Sequence, residues 1–384
     1  MQNKVIQSWK KQKGSFIDWH SMGPVLSGVS IIDLKKLSVK NKKQALDYAL
    51  NYGLDVSNPI KEQLVQDIHI EAVQCIEDMF LPTGCVIPPV VSAPRSPLDL
   101  LVYASGYDMG RNEDIQAWSC AILKVMHCFF QLEYDLKLKN INSIRKQIYA
   151  DYESLISMRD EAIFLEDKKE SLPLFFFKFK KKKSKQSIIL KLLHKPHMAP
   201  SDIYDHLGIR FVLNTKIECL LAFDFFSRHS LITEANIKPF RSRNTLVDIE
   251  EAKKLFDKYK KRLKKSDEYP AEIYRKMDKK LPVMKLENVK NINPFSASDY
   301  RSIQITVRKM IELSDSIPTG MHGASLAPAQ DTFYFDYEIQ LIDKETWLKT
   351  RRGPTSHAAY KRRQVEVARR RVLGPVLLEH LKIG

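Results

Sequence analysis

The run FYFDYEIQL, from Phe333 to Leu341, constrains the fold more than any other stretch of the chain. Tyr337, Ile339 and Leu341 share one parity, while Tyr334, Asp336, Glu338 and Gln340 share the other. A period of two with one apolar face is the mark of a strand lying on a core, so the chain must carry a sheet and Glu338 must project from its polar side. A second strand signal stands in SDIYDHLGIRFVL, where Asp205 leads into the apolar run from Ile209 to Leu213. Between the two lies YRSIQITV, beginning at Tyr300. Carboxylates carried on strands beside a basic segment suit metal-assisted phosphoryl transfer, because Mg²⁺ takes oxygen ligands and bridges substrate phosphates. Each has a plainer reading as well: Asp205 as a turn cap or a partner for Arg210, and Glu338 as part of a face that only meets solvent.

The 384 residues suffice for two domains or one large one, and 44% hydrophobic content supports a sizeable core. The net charge of +16 favours polyanionic partners, whether nucleotides, nucleic acid or an anionic membrane, and is equally compatible with a solvated surface that binds nothing. The cysteines, Cys75, Cys85, Cys120, Cys128 and Cys219, form no CxxC pair and lie mostly in apolar, helix-like text, which predicts small core residues in a reducing cytoplasm. The basic start, MQNKVIQSWKKQKGSF, is not followed by the apolar region of a signal peptide. No uninterrupted apolar stretch approaches the ~18 residues that a membrane span requires.

Residues 41 to 165 read as mostly helical. NKKQALDYALNYGL repeats apolar residues at helical spacing and meets Gly53 as a C-cap. In the next segment Ile60, Leu64, Ile68, Ala72, Val73 and Ile76 mark a stripe. AWSCAILKVMHCFFQLEYDL is apolar on nearly every face and predicts a central buried helix, with His127 as a hydrogen-bonded interior side chain. The text then changes. LPLFFFKF predicts a strand feeding a lysine run, SIILKLLHK a short helix led by Ser187, and TKIECLLAFDFFSRH another helix. Residues 248 to 281 are charged and helical in pattern, a solvent-facing inserted helix or pair. The chain closes in a basic helical run, TSHAAYKRRQVEVARRRVLGPVLLEHL. Strands and helices mix without regular βαβ alternation, so the expected class is α/β in the α+β sense: a mixed sheet flanked by helices, with a helical domain over 1–165 and the sheet-bearing domain over 166–384.

The segment FKFKKKKSKQSIILK supplies Lys178, Lys180, Lys181, Lys182, Lys183, Lys185 and Lys191. A lysine run usually marks a solvated loop; followed at once by a helix start it also forms a cradle for a triphosphate. Neither GxxxxGK[ST] nor GxGxxG occurs, so neither a P-loop nor a Rossmann site is indicated. Tyr300 follows the turn-rich NPFSASD at a strand entrance, where it either stacks on a base or packs an edge.

Taken in order, the basic strand–helix unit, IYDHLGIR, YRSIQITV, EIQ and the ending His357, Tyr360, Lys361 resemble the RelA/SpoT-type alarmone, or (p)ppGpp, synthetase domain over roughly residues 170 to 365. The resemblance implies a nucleotidyltransferase-like fold and a Mg²⁺-dependent pyrophosphokinase that moves the diphosphate of ATP onto the 3′-hydroxyl of GDP or GTP. It implies Asp205 and Glu338 as metal ligands, with Glu338 also activating the acceptor hydroxyl. Tyr300 is then the guanine-stacking ring, and Lys181, Lys183, Lys191, Arg210, Gln304, Gln340, His357, Tyr360 and Lys361 are the nucleotide-binding set. The departures concern base and phosphate contacts. Lys181 stands where the family has arginine, Gln304 where it has histidine, Ser296 where it has lysine and Ile342 where it has arginine. The family's hydrolase half is not recognisable in residues 1 to 165. Two further expectations follow from these departures and from the arginine-rich end KRRQVEVARRR: pyrophosphorylation of an RNA or tRNA 3′ end, or a module that binds nucleotide or RNA without turnover.

Overall fold

A computed structural model describes residues 30–180, 182–195, 203–238, 240–266, 269–285, 299–313, 331–351 and 356–383, together with Leu26 and Glu287. The described residues form two compact units, one within Met1–Tyr134, Ile189–Ala199 and Val365–Gly384, the other within Asp135–Ile188 and Pro200–Gln364.

The first unit is helical. Its main helices are α1 (Lys42–Asn51), α2 (Pro59–Phe80) and α3 (Glu113–Glu133), and each starts on an asparagine, Asn41, Asn58 and Asn112, whose side chain accepts from a first-turn N–H. That cap satisfies a donor the helix cannot satisfy internally. Gly53 ends α1 as expected, at φ 84, with its N–H on Leu50 O (2.9 Å) and the Leu54 N–H on Ala49 O (2.9 Å). The α2 stripe is displaced from the one read above. Val65, Ile68, Ala72, Cys75, Ile76 and Phe80 are buried, whereas Ile60 is 79% exposed. Helix α3 is buried along most of its length. His127 bonds the Tyr52 hydroxyl through Nδ1 and Gln131 through Nε2 (2.8 Å), and burial pushes its pKa down to about 4. The cysteines are all free, and burial raises the thiols of Cys75 and Cys128 to about 12 and that of Cys120 to about 11.

The second unit is a seven-stranded mixed sheet with flanking helices. After α4 (Ile141–Glu153) come β1 (Ile156–Arg159), β2 (Ala162–Glu166) and β3 (Ser171–Phe179). They are followed by α5 (Lys185–His194), β4 (Gly208–Leu213), α6 (Lys216–Arg228) and β5 (Arg243–Asn244). The charged helices α7 (Ile249–Leu263) and α8 (Ala271–Asp278) precede β6 (Ile303–Leu313), β7 (Asp331–Asp343) and α9 (His357–His380). Strand order is β1-β2-β3-β4-β7-β6-β5, with β4 and β7 parallel and every other pair antiparallel. Helices α5 and α9 each begin in this unit and end in the first.

The helical text gives way at Glu153, earlier than the composition indicates. β1 and β2 form a hairpin closed by Asp160 and Glu161, both left-handed (φ 48 and 62), the geometry of a two-residue type I′ turn. On β3 the core parity changes. Leu172 and Leu174 face the core, and then a register shift between Leu174 and Phe176 turns Phe177 and Phe179 inward. Lys178 and Lys180 therefore fall on the opposite face. Helix α5 starts two residues before the expected Ser187, with the Ser184 side chain accepting from the Ser187 N–H (3.3 Å).

The core of this unit joins Ile144, Ile148 and Tyr152 of α4 to Ile209 and Phe211 of β4, Phe225 and Phe226 of α6, and Tyr337, Ile339 and Leu341 of β7. The charged helical pair is not simply solvent-facing. Its apolar stripe delivers Ala252, Tyr259 and Met277 to this core, Asp278 accepts from the Lys216 N–H at the start of α6 (2.7 Å), and the Tyr269 hydroxyl donates to Glu218 (2.7 Å). A charged composition and one buried stripe coexist because a helix needs only one apolar face. Among the described residues, no helix is long and apolar enough to cross a membrane.

Candidate functional site

The face of the sheet opposite the apolar core is polar at its centre, and the register shows why. Glu338 of β7 lies beside Gly208 of β4, and Gln340 beside Arg210. On the other side of β7, Gln340 faces Gln304, Glu338 faces Thr306 and Asp336 faces Arg308 of β6. Across β4, Arg210 faces Lys178 of β3. Same-register neighbours on adjacent strands point to one face, so the alternation read in the sequence assembles these side chains into a patch.

Two carboxylates anchor it, and each carries an ammonium. Lys180 Nζ donates to Glu338 Oε1 (2.6 Å) and Lys183 Nζ to Asp205 Oδ2 (2.5 Å). The four side chains are 18–30% exposed, buried enough to raise the cost of an unpaired charge and open enough for a ligand to reach them. Backbone bonds fix the pairs at the same end of the sheet. The Lys180 N–H donates to Gly208 O (2.8 Å) and the Glu338 N–H to Leu207 O (3.2 Å), with Asp205 three residues before Gly208. A Cβ at 208 would meet Lys180 Cδ at 2.9 Å and Glu338 O at 3.2 Å, so a larger residue there would push the Lys180 stem aside.

A second chain of polar contacts runs beside the first. Arg210 Nε donates to Gln340 Oε1 (2.6 Å), and Gln340 Nε2 donates to the Tyr300 hydroxyl. Gln340 is 2% exposed, so its amide acts as a fixed strut, and the Tyr300 ring is held at the entrance to β6.

Of the residues predicted from the sequence, the structure thus brings Glu338, Arg210, Gln340 and Gln304 onto one sheet face with Tyr300 bonded to Gln340, and pairs Lys183 with Asp205 in the segments that follow β3 and precede β4. Lys181 lies outside the described residues. Lys191 falls on the part of α5 that belongs to the helical unit. His357, Tyr360 and Lys361 stand in the first turns of α9, where the Tyr360 hydroxyl accepts from Gln364 (3.0 Å). Lys180 is the residue that sequence reasoning left undistinguished within the lysine run. The alternation of Phe177 and Phe179 with Lys178 and Lys180 is the signal that separates it, since the two lysines must share the face of Glu338.

Among the described residues no group of three or more His, Cys, Asp or Glu side chains is arranged to hold a metal ion. Asp205 and Glu338 each offer carboxylate oxygens, the ligand type that Mg²⁺ takes. The comparisons with known proteins leave the assignment to this geometry: no family model, no curated protein and no solved structure matches the chain.

Proposed function

We propose that the chain is a Mg²⁺-dependent pyrophosphokinase of the RelA/SpoT type, transferring the β,γ-diphosphate of ATP to the 3′-hydroxyl of GDP or GTP in the cytoplasm. In this reading the mixed sheet is nucleotidyltransferase-like and the first unit is an N-terminal helical domain. The observation that carries it is the shared surface of Glu338, Lys180, Arg210, Gln340 and Tyr300, with Lys183 and Asp205 at the same sheet end. The acidic and basic groups are those that diphosphate transfer needs, and the aromatic ring is held rigid beside them.

Each residue has a defined task. Lys180 and Lys183 exchange their carboxylate partners for the phosphates of ATP, and Arg210 neutralises charge on the transferred group. Tyr300, fixed through its hydroxyl, presents its ring face to the acceptor base. Glu338, once released by Lys180, accepts the proton of the attacking hydroxyl. Asp205 and Glu338 would hold Mg²⁺, which would supply charge neutralisation for the phosphates. Catalysis in this scheme rests on positioning and electrostatics rather than covalent chemistry.

One observation favours a competing reading. Both carboxylates are paired with lysines, as suits a module that binds nucleotide or RNA without turnover. An assay with γ-labelled ATP and a panel of GDP, GTP and tRNA separates the readings. Label in a guanosine tetra- or pentaphosphate, lost in Asp205→Asn and Glu338→Gln, supports the proposal, and label in tRNA alone moves the acceptor to an RNA 3′ end. Binding without transfer to any acceptor rejects it.

A further inference from the structure

Phe240 is the most exposed large hydrophobic side chain described, at 84%, and its backbone is left-handed at φ 59. A bulky residue adopts that conformation only where its surroundings impose it. Here both flanks of the loop are fixed to β6. Asn236 O accepts from the Arg308 N–H (2.8 Å), the Lys238 N–H donates to Thr306 O (2.8 Å), the Ser242 hydroxyl accepts from the Thr306 N–H (3.1 Å), and Arg243 pairs with Gln304 in register. The turn is closed by the Arg241 N–H on Lys238 O (3.4 Å). The ring is thereby presented to solvent from a clamped support at the sheet edge.

Its surroundings are cationic and aromatic in alternation. Lys238 and Arg241 both lie over the Tyr204 ring (4.6 and 4.7 Å), and Arg308 lies over Tyr334, itself 53% exposed (5.6 Å). Lys238 and Arg308 share Asp336 (3.0 and 3.8 Å). Among the described residues, neither Arg241 nor Arg243 has a carboxylate partner. Asp336 is one two-residue step along β7 from Glu338 and on the same face.

We infer that Phe240, with Tyr204, Lys238, Arg241 and Arg243, forms a binding platform for single-stranded nucleic acid: Phe240 stacks on an unpaired base and the cations follow the phosphates on either side. Base stacking on an exposed, pre-oriented ring needs no sequence-specific contact, and interleaved cations supply the salt-dependent part of the affinity. A polyanion fits better than a mononucleotide, because the cations extend along the edge from Arg241 to Arg243 and from Lys238 to Arg308. The inference stands on this surface alone and does not depend on diphosphate transfer.

The test is fluorescence anisotropy of the full-length protein with a labelled single-stranded RNA of mixed sequence, run beside an abasic strand of equal length and mononucleotide competitors. Phe240→Asn is the informative variant, since asparagine tolerates the left-handed backbone and leaves folding unchanged or improved. The expected result is roughly ten-fold weaker RNA binding, the size of a base–aromatic stack, with no change for the abasic strand and near-complete retention in Phe240→Trp. Arg241→Gln with Arg243→Gln is expected to flatten the salt dependence. The inference is overturned by wild-type protein that does not bind the RNA, by equal affinity in Phe240→Asn, by an equal loss on the abasic strand, or by binding of mononucleotides in place of RNA.

Discussion

Removing the ammonium from Glu338 is the sharpest test of the site. Lys180→Met keeps most of the side-chain stem that lies over Gly208 and deletes only the charge. At 2.6 Å and an effective dielectric near 20, the gross Coulomb attraction within the pair is about 6 kcal/mol. Most of that is offset by the desolvation of two groups that are 30% and 18% exposed. Fully exposed pairs contribute at most ~1 kcal/mol, whereas stripping one partner from a buried pair costs ~3–5 kcal/mol, so a half-buried pair in good geometry should lose about 2 kcal/mol in Lys180→Met. Glu338→Gln removes the other charge, and the double variant closes the cycle. Urea midpoints of the four proteins should give a coupling of about 1–2 kcal/mol, with the double variant less destabilised than the two single changes predict together. A coupling indistinguishable from zero would falsify the claim that Lys180 is the resident counter-charge of Glu338, and a more stable Lys180→Met would mean that the lysine is strained there.

Two further changes probe the scaffold. The Tyr152 and Tyr337 hydroxyls bond each other (2.8 Å) with both side chains buried, so Tyr337→Phe leaves a buried hydroxyl unsatisfied and should cost about 1–3 kcal/mol by thermal or urea unfolding, while an unchanged midpoint would show that the hydroxyl finds another partner. In the helical unit, burial depresses the His127 pKa from 6.5 to about 4, so the folded state binds fewer protons than the unfolded state between those values. Stability from this group is therefore present above pH 6.5 and lost as pH falls toward 4, by up to about 3 kcal/mol, and His127→Gln should flatten the stability profile over that window. A profile unchanged by the substitution would assign the acid sensitivity to other groups.

Much of the sheet was legible because strand parity survives in the text. FYFDYEIQL declares its buried and polar faces without any partner strand, and the structure finds Tyr337, Ile339 and Leu341 in the core as that alternation requires. Two elements hid for physical reasons. The β1–β2 hairpin turns on Asp160 and Glu161, which lack the glycine or asparagine that usually marks left-handed turn positions. On β3 the change of core parity between Leu174 and Phe177 follows from a register shift relative to β4, and a single strand read alone does not reveal its partner's register. The charged pair α7–α8 hid its stripe in the same way: Ala252, Tyr259 and Met277 are sparse enough to be outvoted by lysine and glutamate in any composition count.

The sequence by itself determined the strand character of β3, β4, β6 and β7 and which face of β7 is polar. These are local properties, set by side-chain period and turn chemistry. Only the tertiary structure decided which lysine meets which carboxylate, that Gln340 ties Arg210 to Tyr300, and that Phe240 is exposed beside the edge of the sheet. Those pairings depend on strand order and register between segments more than a hundred residues apart, and no periodicity within a single segment encodes them.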